Sequence, residues 1–467
     1  MKKSQQTKRT LTGSLISLIV CIAMLIGTTL AWFTDTASTS VNKIQAGNLK
    51  VALVDENGNP LTDALQWQKA TGHEDEEVLW EPGAKYNLQS FKVKNNGNLA
   101  LKYKIKISGI EQGDAELLKV LQFTYNEGSS TLDLDAEHHL KAEEESGLIT
   151  ISAKMDESAG NEYKGMSVDG IKITVVATQD TVESDSKDNQ YDKDATYPVA
   201  SQKELDSLIE SAAEGTIVDI PSDTTMTLKK DSVINGGVTL AGAGADKTIL
   251  KTEDKNYNIA NDNITIKDVT IDGTASSEVD NESAIKIDGN NVVLDGVKAI
   301  GGGQKDYGCT VRTDSSTTTI KNSTISGAFR GIQAYNVNEV LLIENTTLEP
   351  QCYCLNIDGG TGKLVVNNSI LKGWTSYTDT IESATFTNTS FEVSTKSGSY
   401  EQNCVRGYTD TTFVNCNFGD EFWFGAANTE VTVTFENCKY KGTLITESNV
   451  NDVLEQTDNA NTTVIVK

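Results

Sequence analysis

Apolar and polar positions follow a short pattern that recurs through the C-terminal half of the chain. The pattern reads apolar, any residue, Asn, small residue, any residue, apolar, as in IKNSTI at residues 320–325. Its other copies are centred on Asn345, Asn368, Asn388, Asn415 and Asn437, and Gly242, Asp268 and Gly296 hold the central position upstream. The centres recur about every 20 to 28 residues, which is typical of a coiled β-solenoid.

The spacing inside each copy predicts a bend at the asparagine. The apolar residues two before and three after the Asn both have to face inward, which strict alternation forbids in a straight strand. A bend restores the inward direction, and stacked bends allow each amide to hydrogen-bond to the next. This ladder also explains the N-S-T, N-T-T and N-T-S triplets without attached glycans.

A helix is predicted immediately before the first solenoid strand. Ser201 and Glu204 form a capping box, the apolar residues Leu205, Leu208, Ile209 and Ala212 share one face, and Gly215 is expected to end the helix. Such a helix would cover the open edge of the first coil.

The N-terminal half has the alternation of a β-sandwich. We predict strands near 48–54, 91–94, 101–107, 148–153 and 170–178, separated by Gly, Asn and Asp turns. Residues 181–198 are acidic and nearly devoid of apolar side chains, as in a solvated linker. The predicted organisation is a signal peptide at 1–31, a sandwich at 32–180, a linker at 181–198 and the solenoid at 199–467.

The first 31 residues indicate export. A basic stretch, KKSQQTKR, precedes an uncharged apolar run from Leu11 to Leu30 that ends at Ala31. We therefore expect a secreted protein found in the extracellular matrix or at the cell surface. The run is about 20 residues long, so an uncleaved membrane anchor is the alternative.

The net charge limits the classes of binding partner, and the cysteine positions raise the question of a disulfide. Forty basic against 66 acidic residues give a net charge of −26, which disfavours nucleic acid and anionic membrane surfaces. Cys416 and Cys438 occupy equivalent positions one coil apart, which is compatible with a disulfide. Ser, Thr or Cys at this position in every coil centred on Asn favours a small buried side chain instead.

Two family resemblances follow from these residues. Residues 197–467 resemble the right-handed parallel β-helix superfamily of pectate lyases, through the helical cap, the segment GVTLAGAGADKTIL and the Asn bends. The front of the chain resembles the TasA/camelysin family of Gram-positive bacteria, through LAWFTDT, IQAGNLKVAL and WEPGAKYNLQSFKVKNNGNLALKYKIKISGI. The second resemblance implies cleavage after Ala31 by a dedicated signal peptidase, a jelly-roll sandwich and assembly into biofilm-matrix fibres. Camelysin-like members are metallopeptidases.

Histidine placement disfavours two enzyme classes. His73, His138 and His139 do not form an H-E-x-x-H motif, and we expect them in solvated loops, not at a zinc ion. The solenoid has no histidine and neither a GHG nor an RIK motif. The peptidase and pectin-hydrolase readings are therefore weak.

Three arginines carry the enzyme alternative. Arg312, Arg330 and Arg406 lie in the strands expected to form the long substrate-binding sheet of this fold. Guanidinium groups clamp carboxylates such as those of uronic acids. Arg312 and Arg406 are four coils apart, roughly 19 Å, so they could bind the same polymer but could not act together on one cleaved bond.

Two aspartates complete the candidate catalytic set. Asp358 and Asp379 lie 10 and 9 residues before Asn368 and Asn388, which predicts adjacent coils about 5 Å apart. Such a pair could bind Ca²⁺ or act as acid and base. The alternative is that they form turns.

Aromatic residues cluster late in the solenoid. They are Tyr353, Trp374, Tyr377, Tyr400, Tyr408, Phe422, Trp423 and Phe424. Those that project from the sheet could stack on sugar rings, and filling of a tapering end is the alternative. The candidate substrate-binding residues are Tyr353, Trp374, Tyr377 and Trp423, together with Arg312.

The leading hypothesis is a secreted, non-catalytic cell-surface or biofilm-matrix protein without a cofactor. Its β-helix would bind glycan or matrix partners, and its sandwich would mediate self-assembly. The alternative is a polysaccharide lyase or glycoside hydrolase acting on acidic glycans through Arg330, Arg406, Asp358 and Asp379. A camelysin-like metallopeptidase is the third reading.

Overall fold

A computed structural model describes residues 48–467 of the chain, with short gaps. The gaps are residues 63, 74–75, 77, 109–114, 135, 167–171, 181–196, 254–255, 275–281, 305–307, 395–402 and 456–457. The predicted signal peptide and most of the predicted linker lie outside the described residues. No helix within the described ranges is both long enough and apolar enough to cross a membrane.

The N-terminal part is an antiparallel β-sandwich. One sheet is ordered Trp67–Gln68, Lys85–Leu88, Ile149–Met155, Leu121–Glu127 and Ser130–Thr131. A second is ordered Lys172–Gln179, Leu101–Ser108 and His138–Leu140, and Val51–Val54 pairs with Lys92–Asn95. A short helix, Ala115–Leu118, and a 3₁₀ turn, Asn161–Tyr163, complete it.

The sandwich core explains which strands were predictable. Phe91, Val93, Leu101, Tyr103 and Ile149 are buried, and each is followed by a half-buried polar residue. The five predicted strands are confirmed to within a few residues. The strands Lys85–Leu88 and Leu121–Glu127 were missed, because their apolar positions are few and mostly half-buried.

Residues from 217 onward form a right-handed parallel β-helix built from three sheets. Sheet I comprises Tyr257–Ile259, Ser283–Ile287, Cys309–Thr313, Arg330–Ala334, Tyr353–Ile357, Trp374–Tyr377, Asn403–Gly407 and Phe422–Gly425. Sheet II comprises Ile217–Asp219, Thr239–Ala241, Thr265–Lys267, Val292–Asp295, Thr317–Lys321, Val340–Glu344, Lys363–Asn367, Ser383–Thr387, Thr411–Val414, Thr432–Glu436 and Thr463–Val466. Sheet III comprises Thr224–Leu228, Thr248–Thr252, Thr270–Gly273, Lys298–Gly301, Thr324–Ser326, Thr347–Glu349, Ile370–Lys372, Ser390–Glu392, Asn417–Phe418, Lys439–Tyr440 and Thr443–Leu444. A 3₁₀ turn, Val450–Val453, lies near the last strands.

The predicted asparagine bends are confirmed. From Asn322 onward each central Asn has φ between 49° and 54°, and Asp268 and Gly296 also adopt the left-handed conformation. Gly242, the first copy, does not. Asn345 Nδ2 donates to Asn322 Oδ1 at 3.1 Å, and Asn388 Nδ2 donates to Asn368 Oδ1 at 2.9 Å. From the coil of Asp268 onward, two residues separate the sheet II strand from the sheet III strand, so this corner has constant length.

The helix Gln202–Ser211 caps the first coil as predicted. Ser201 accepts a hydrogen bond from the Glu204 backbone N–H at 3.2 Å, and Leu205 and Ile209 are fully buried. The predicted end was wrong, because the chain becomes extended at Ala212, three residues before Gly215.

The interior of the solenoid is apolar from end to end, and phenylalanine fills its last coils. Phe386, Phe413 and Phe435 stack in successive coils with ring centroids 5.2 Å apart. The six cysteines within the described residues are all buried with free thiols. Cys416 and Cys438 lie beside equivalent bends, where they serve as small buried side chains.

Candidate functional site

One face of the solenoid carries polar side chains between buried strand residues. In all but the last sheet I strand a polar residue lies between two inward-facing residues, and the parallel register aligns these positions across the sheet. The aligned row is Asn258, Lys286, Arg312, Gln333, Asn356, Ser376, Arg406 and Gly425. All three arginines predicted for the long sheet are in sheet I, and Arg312 and Arg406 share this row.

A second row runs beside the first and contains the aromatic residues. Register aligns Arg330, Tyr353, Trp374, Cys404 and Trp423. The Arg330 guanidinium lies 4.9 Å from the centre of the Tyr353 ring, and the Tyr353 and Trp374 rings meet edge to face at 5.1 Å. Arg406 lies between two indoles, 5.5 Å from Trp374 and 5.4 Å from Trp423. Cationic and aromatic side chains therefore form a continuous strip over five strands.

Carboxylates compensate the cations at the N-terminal end of the face. The Arg312 guanidinium is 3.0 Å from Asp314, and Lys286 lies 2.9 Å from Asp288 and 3.5 Å from Asp314. Arg312 also stacks on Tyr335 at 4.9 Å. These contacts leave this end of the face balanced in charge.

A hydrogen-bonded chain occupies the middle of the face. Arg330, of which only 8% is exposed, donates to Gln333 Oε1, and Gln333 Nε2 donates to Asp358 at 2.7 Å. Asn356 Nδ2 donates to the other Asp358 oxygen, also at 2.7 Å. Burial raises the pKa of the neighbouring Tyr353, so its phenol stays neutral at physiological pH.

Arg406 differs from the other two arginines. Within the described ranges its guanidinium has no carboxylate within ion-pair distance, and its contacts are the two indoles. Asp458 approaches the outer side of Gly425, the next residue in the row. Arg406 is thus a cation held in place by stacking, without a counter-ion among the described residues.

Buried polar atoms without partners concentrate at the same place. Of the nine such side-chain atoms in the described part of the chain, five lie on the adjoining strands Trp374–Tyr377 and Asn403–Gly407. They are Trp374 Nε1, Thr375 Oγ1, both amide atoms of Asn403 and Arg406 Nε. Unpaired buried groups cost about 1–3 kcal/mol each and require a structural or functional reason. Thr375 and Asn403 are aligned with core residues, whereas Trp374 Nε1 and Arg406 Nε belong to the outer face and mark these two strands as the centre of the candidate site.

The two predicted aspartates do not stand side by side. Register pairs Ile357 with Tyr377, so Thr378 is opposite Asp358, and Asp379 comes one residue later in an exposed turn. The prediction of an adjacent pair was therefore wrong in register. Within the described residues, no three His, Cys, Asp or Glu side chains are grouped to hold a metal ion.

Tyr377 was wrongly predicted as a sugar-stacking residue. Its side chain points inward and is fully buried, and its hydroxyl lies 2.7 Å from Thr411 Oγ1. Tyr353, Trp374 and Trp423 are half-buried on the outer face, where stacking is feasible. Phe422 and Phe424 belong to the core, and Tyr400 lies outside the described residues.

Two of the three histidines lie in a strand and not in the predicted loop. His138 and His139 are neighbours in the strand His138–Leu140. The His138 ring packs 5.2 Å from Tyr103, whereas His139 Nδ1 lies 2.8 Å from Asp180. His73 contacts Glu76 at 2.7 Å in the sandwich.

Sequence reasoning missed Gln333, Asn356 and Tyr335. A signal was available, because V-R-T, I-Q-A, L-N-I and V-R-G each place one polar residue between two small or apolar ones. The number of residues between the sheet I and sheet II strands varies, from three after Thr313 to six after Gly425. The distance to the next Asn therefore does not give the position in sheet I.

Comparison with protein families and with curated proteins gives no match. Among solved structures, the chain is similar to the A-module of the mannuronan C-5 epimerase AlgE4 from Azotobacter vinelandii. The TM-score is 0.36 and the identity 14%, over 57% of this chain and 90% of that one. Pectin methylesterase from carrot gives 0.34 and 8%, over 56% and 84%. The catalytic unit of a GH87 α-1,3-glucanase from Streptomyces thermodiastaticus gives 0.26 and 11%, over 91% and 96%. At TM-scores this low, these similarities carry no argument about what this chain does.

Proposed function

We propose that this protein binds an extracellular polysaccharide along the outer face of sheet I. The observation that carries the proposal is Arg406, whose guanidinium lies between Trp374 and Trp423 without a carboxylate at ion-pair distance among the described residues. Ligand sites combine aromatic surface with a few convergent polar groups. A sugar polymer supplies the carbon-bound hydrogens, hydroxyls and acidic groups that such a surface recognises.

Each part of the face has a defined task in this proposal. Tyr353, Trp374 and Trp423 offer ring faces or edges to the apolar sides of sugars. Gln333 and Asn356 offer amide groups to hydroxyls, and Arg406 offers a planar donor to a carboxylate or sulfate. Eight strands about 4.8 Å apart give a face roughly 34 Å long, which suits a polymer more than a monosaccharide.

Catalysis on the bound polysaccharide is the second candidate, and the chain from Arg330 through Gln333 to Asp358 favours it. The buried Arg330 guanidinium orients the Gln333 amide, and this amide holds the exposed Asp358 carboxylate. The carboxylate is therefore fixed beside the strip of cationic and aromatic side chains. Such a carboxylate can accept a proton from a sugar. In this reading the protein is a lyase or hydrolase with Asp358, Arg330 and Arg406 in its site, and Asp358 and Asp379 remain the candidate ligands for Ca²⁺.

We also propose that the protein is exported and acts at the cell surface or in a biofilm matrix. The basic and apolar residues before Ala31 and the TasA/camelysin-like segments support this proposal. An apolar cavity of about 310 Å³ in the sandwich, lined by residues such as Leu53, Trp67, Ile107 and Ile173, supports self-assembly, because it can accept apolar side chains of a partner. The camelysin-like peptidase reading gains no support from the histidine positions.

The test is binding of the purified protein to a panel of neutral and acidic polysaccharides, followed by calorimetry. Arg406→Ala and Trp374→Ala should each weaken the interaction by about tenfold or more, because each removes half of a stacked pair. Lys439→Ala, an exposed substitution on sheet III, is the matched control and should bind as the parent does. Equal binding by Arg406→Ala and the parent would contradict the proposed site.

The same samples decide between binding and catalysis. Release of reducing ends, or of unsaturated products followed by ultraviolet absorbance with and without Ca²⁺, would establish an enzyme. Loss of that turnover in Asp358→Asn with retained binding would assign the carboxylate. Binding without turnover would establish the recognition role.

A further inference from the structure

We infer that the polysaccharide is a mostly neutral chain with isolated anionic groups, and not a polyuronate with a carboxylate on every sugar. This inference rests on the proposed function and specifies its ligand. It follows from the distribution of charge along sheet I, which presents one uncompensated arginine among the described residues and several carboxylates.

The cations away from Arg406 are already engaged. Arg312 and Lys286 form ion pairs with Asp314 and Asp288. Arg330 is nine-tenths buried, stacks on Tyr353 and donates to Gln333. A ligand carboxylate at the N-terminal end of the row would have to displace a protein carboxylate.

Neutral side chains separate Arg406 from Arg312. Along the first row, Ser376, Asn356 and Gln333 occupy the three strands between them. Their hydroxyl and amide groups match sugar hydroxyls, whereas an amide gains less than a cation from a carboxylate. The surface between the arginines is therefore suited to uncharged sugars.

Carboxylates project beside this neutral stretch. Asp358 lies two strands from Arg406, about 10 Å along the face, and Asp458 approaches Gly425 one strand to the other side. Both distances fall within or close to the screening length at physiological salt, about 8 Å. A polymer with a charge on every sugar would meet repulsion on both sides of Arg406, and the net charge of −26 adds to it.

Two polymer series of graded charge test the inference. The first is galacturonan at increasing methyl esterification, and the second is β-glucan at increasing carboxymethylation. Affinity should peak at low charge density in at least one series, with the fully charged member bound about tenfold more weakly at low salt. Affinity that rises steadily with charge density would overturn the inference and leave the proposed function standing. Absence of binding to every member of both series and to the wider polysaccharide panel would overturn both.

Two variants test whether the ion pair of Arg312 limits the binding of a fully charged polymer. Asp314→Asn releases Arg312 from its ion pair and should increase affinity for polygalacturonate several-fold, because a second cation becomes free. Asp420→Asn, which removes a carboxylate paired with Lys441 near sheet III, is the matched control and should leave that affinity unchanged. An equal gain in both variants would mean that only total charge matters, and an unchanged affinity in Asp314→Asn would mean that Arg312 does not face the ligand. Either result would contradict the inference.

Discussion

Asparagine at the bends satisfies two requirements with one side chain. The left-handed backbone at these positions favours Asn over most other residues, and the amide can both donate to one coil and accept from the next. Asp268 and Gly296, at the same position in earlier coils, adopt the same backbone conformation but cannot continue the amide ladder. The central Asn is therefore a position where sequence and structure correspond directly.

Replacing Asn345 by Ala should destabilise the solenoid by about 1–2 kcal/mol. The substitution removes the 3.1 Å bond to Asn322 and forces a Cβ-bearing residue without a local hydrogen bond to remain at φ 49°. Chemical denaturation measures the change. Asn345→Gly keeps the backbone freedom and should lose less, so equal losses in the two variants would disprove the strain component.

Replacing Tyr377 by Phe tests the corrected position of that residue. The buried hydroxyl pairs with Thr411, so its removal should cost about 1 kcal/mol of stability. Glycan affinity should not change, because the ring does not reach the outer face. A loss of affinity at unchanged stability would restore the original sugar-stacking prediction.

At the scale of elements, the turn lengths explain what the sequence could predict. The sheet II to sheet III corner is constant, so the Asn pattern located both strands in nearly every coil. The turns beside sheet I vary in length. The sequence therefore predicted that each coil contributes a strand to sheet I, but it did not predict the register of that strand. Tyr377 and Asp379 were both misassigned for this reason, whereas Arg312 and Arg406 were placed correctly because inward apolar residues flank them.

Asp268, at an early bend, should make stability depend on pH. Burial raises its pKa, with Lys267 opposing and Asp295 reinforcing the shift. Because the folded pKa is above the unfolded value, its charge destabilises the fold near neutral pH, and this cost disappears as pH falls through the folded pKa.

Asp268→Asn should therefore raise the thermal unfolding midpoint at pH 7. The advantage over the parent should shrink at about pH 4, near the ordinary pKa of an aspartate, because a larger fraction of the parent carboxyl is protonated there than at pH 7. Thermal scans at both values measure it. A larger advantage at acidic pH would show that the carboxylate is stabilising instead.

At the scale of the whole molecule, acidity and the binding face act together. The net charge of −26 repels polyanions, whereas Arg406, which lies between two indoles, is a local positive charge. The sequence predicted the fold class and the strand set of the binding face. It could not predict that Arg406 has no carboxylate at ion-pair distance among the described residues, since ion pairs depend on the register across coils.

Salt should affect the two ligand types in opposite directions. Raising NaCl from about 50 mM to about 300 mM shortens the screening length and should strengthen binding of polygalacturonate, because repulsion from the acidic surface weakens. A lightly charged glycan should lose affinity modestly, since one ion pair is screened. Calorimetry at both salt concentrations measures the two trends, and parallel losses would show that attraction dominates for both ligands.

The constant two-residue corner between sheets II and III contrasts with the connections that lead into sheet I. Sheet III strands are followed by connections of very different length before sheet I begins, from one residue between Lys372 and Trp374 to ten between Glu392 and Asn403. The fold therefore accommodates connections of different length along one rim of sheet I, while the corner between sheets II and III keeps the coils stacked. A scaffold of this kind can acquire new ligand specificity loop by loop, without a change in its apolar interior.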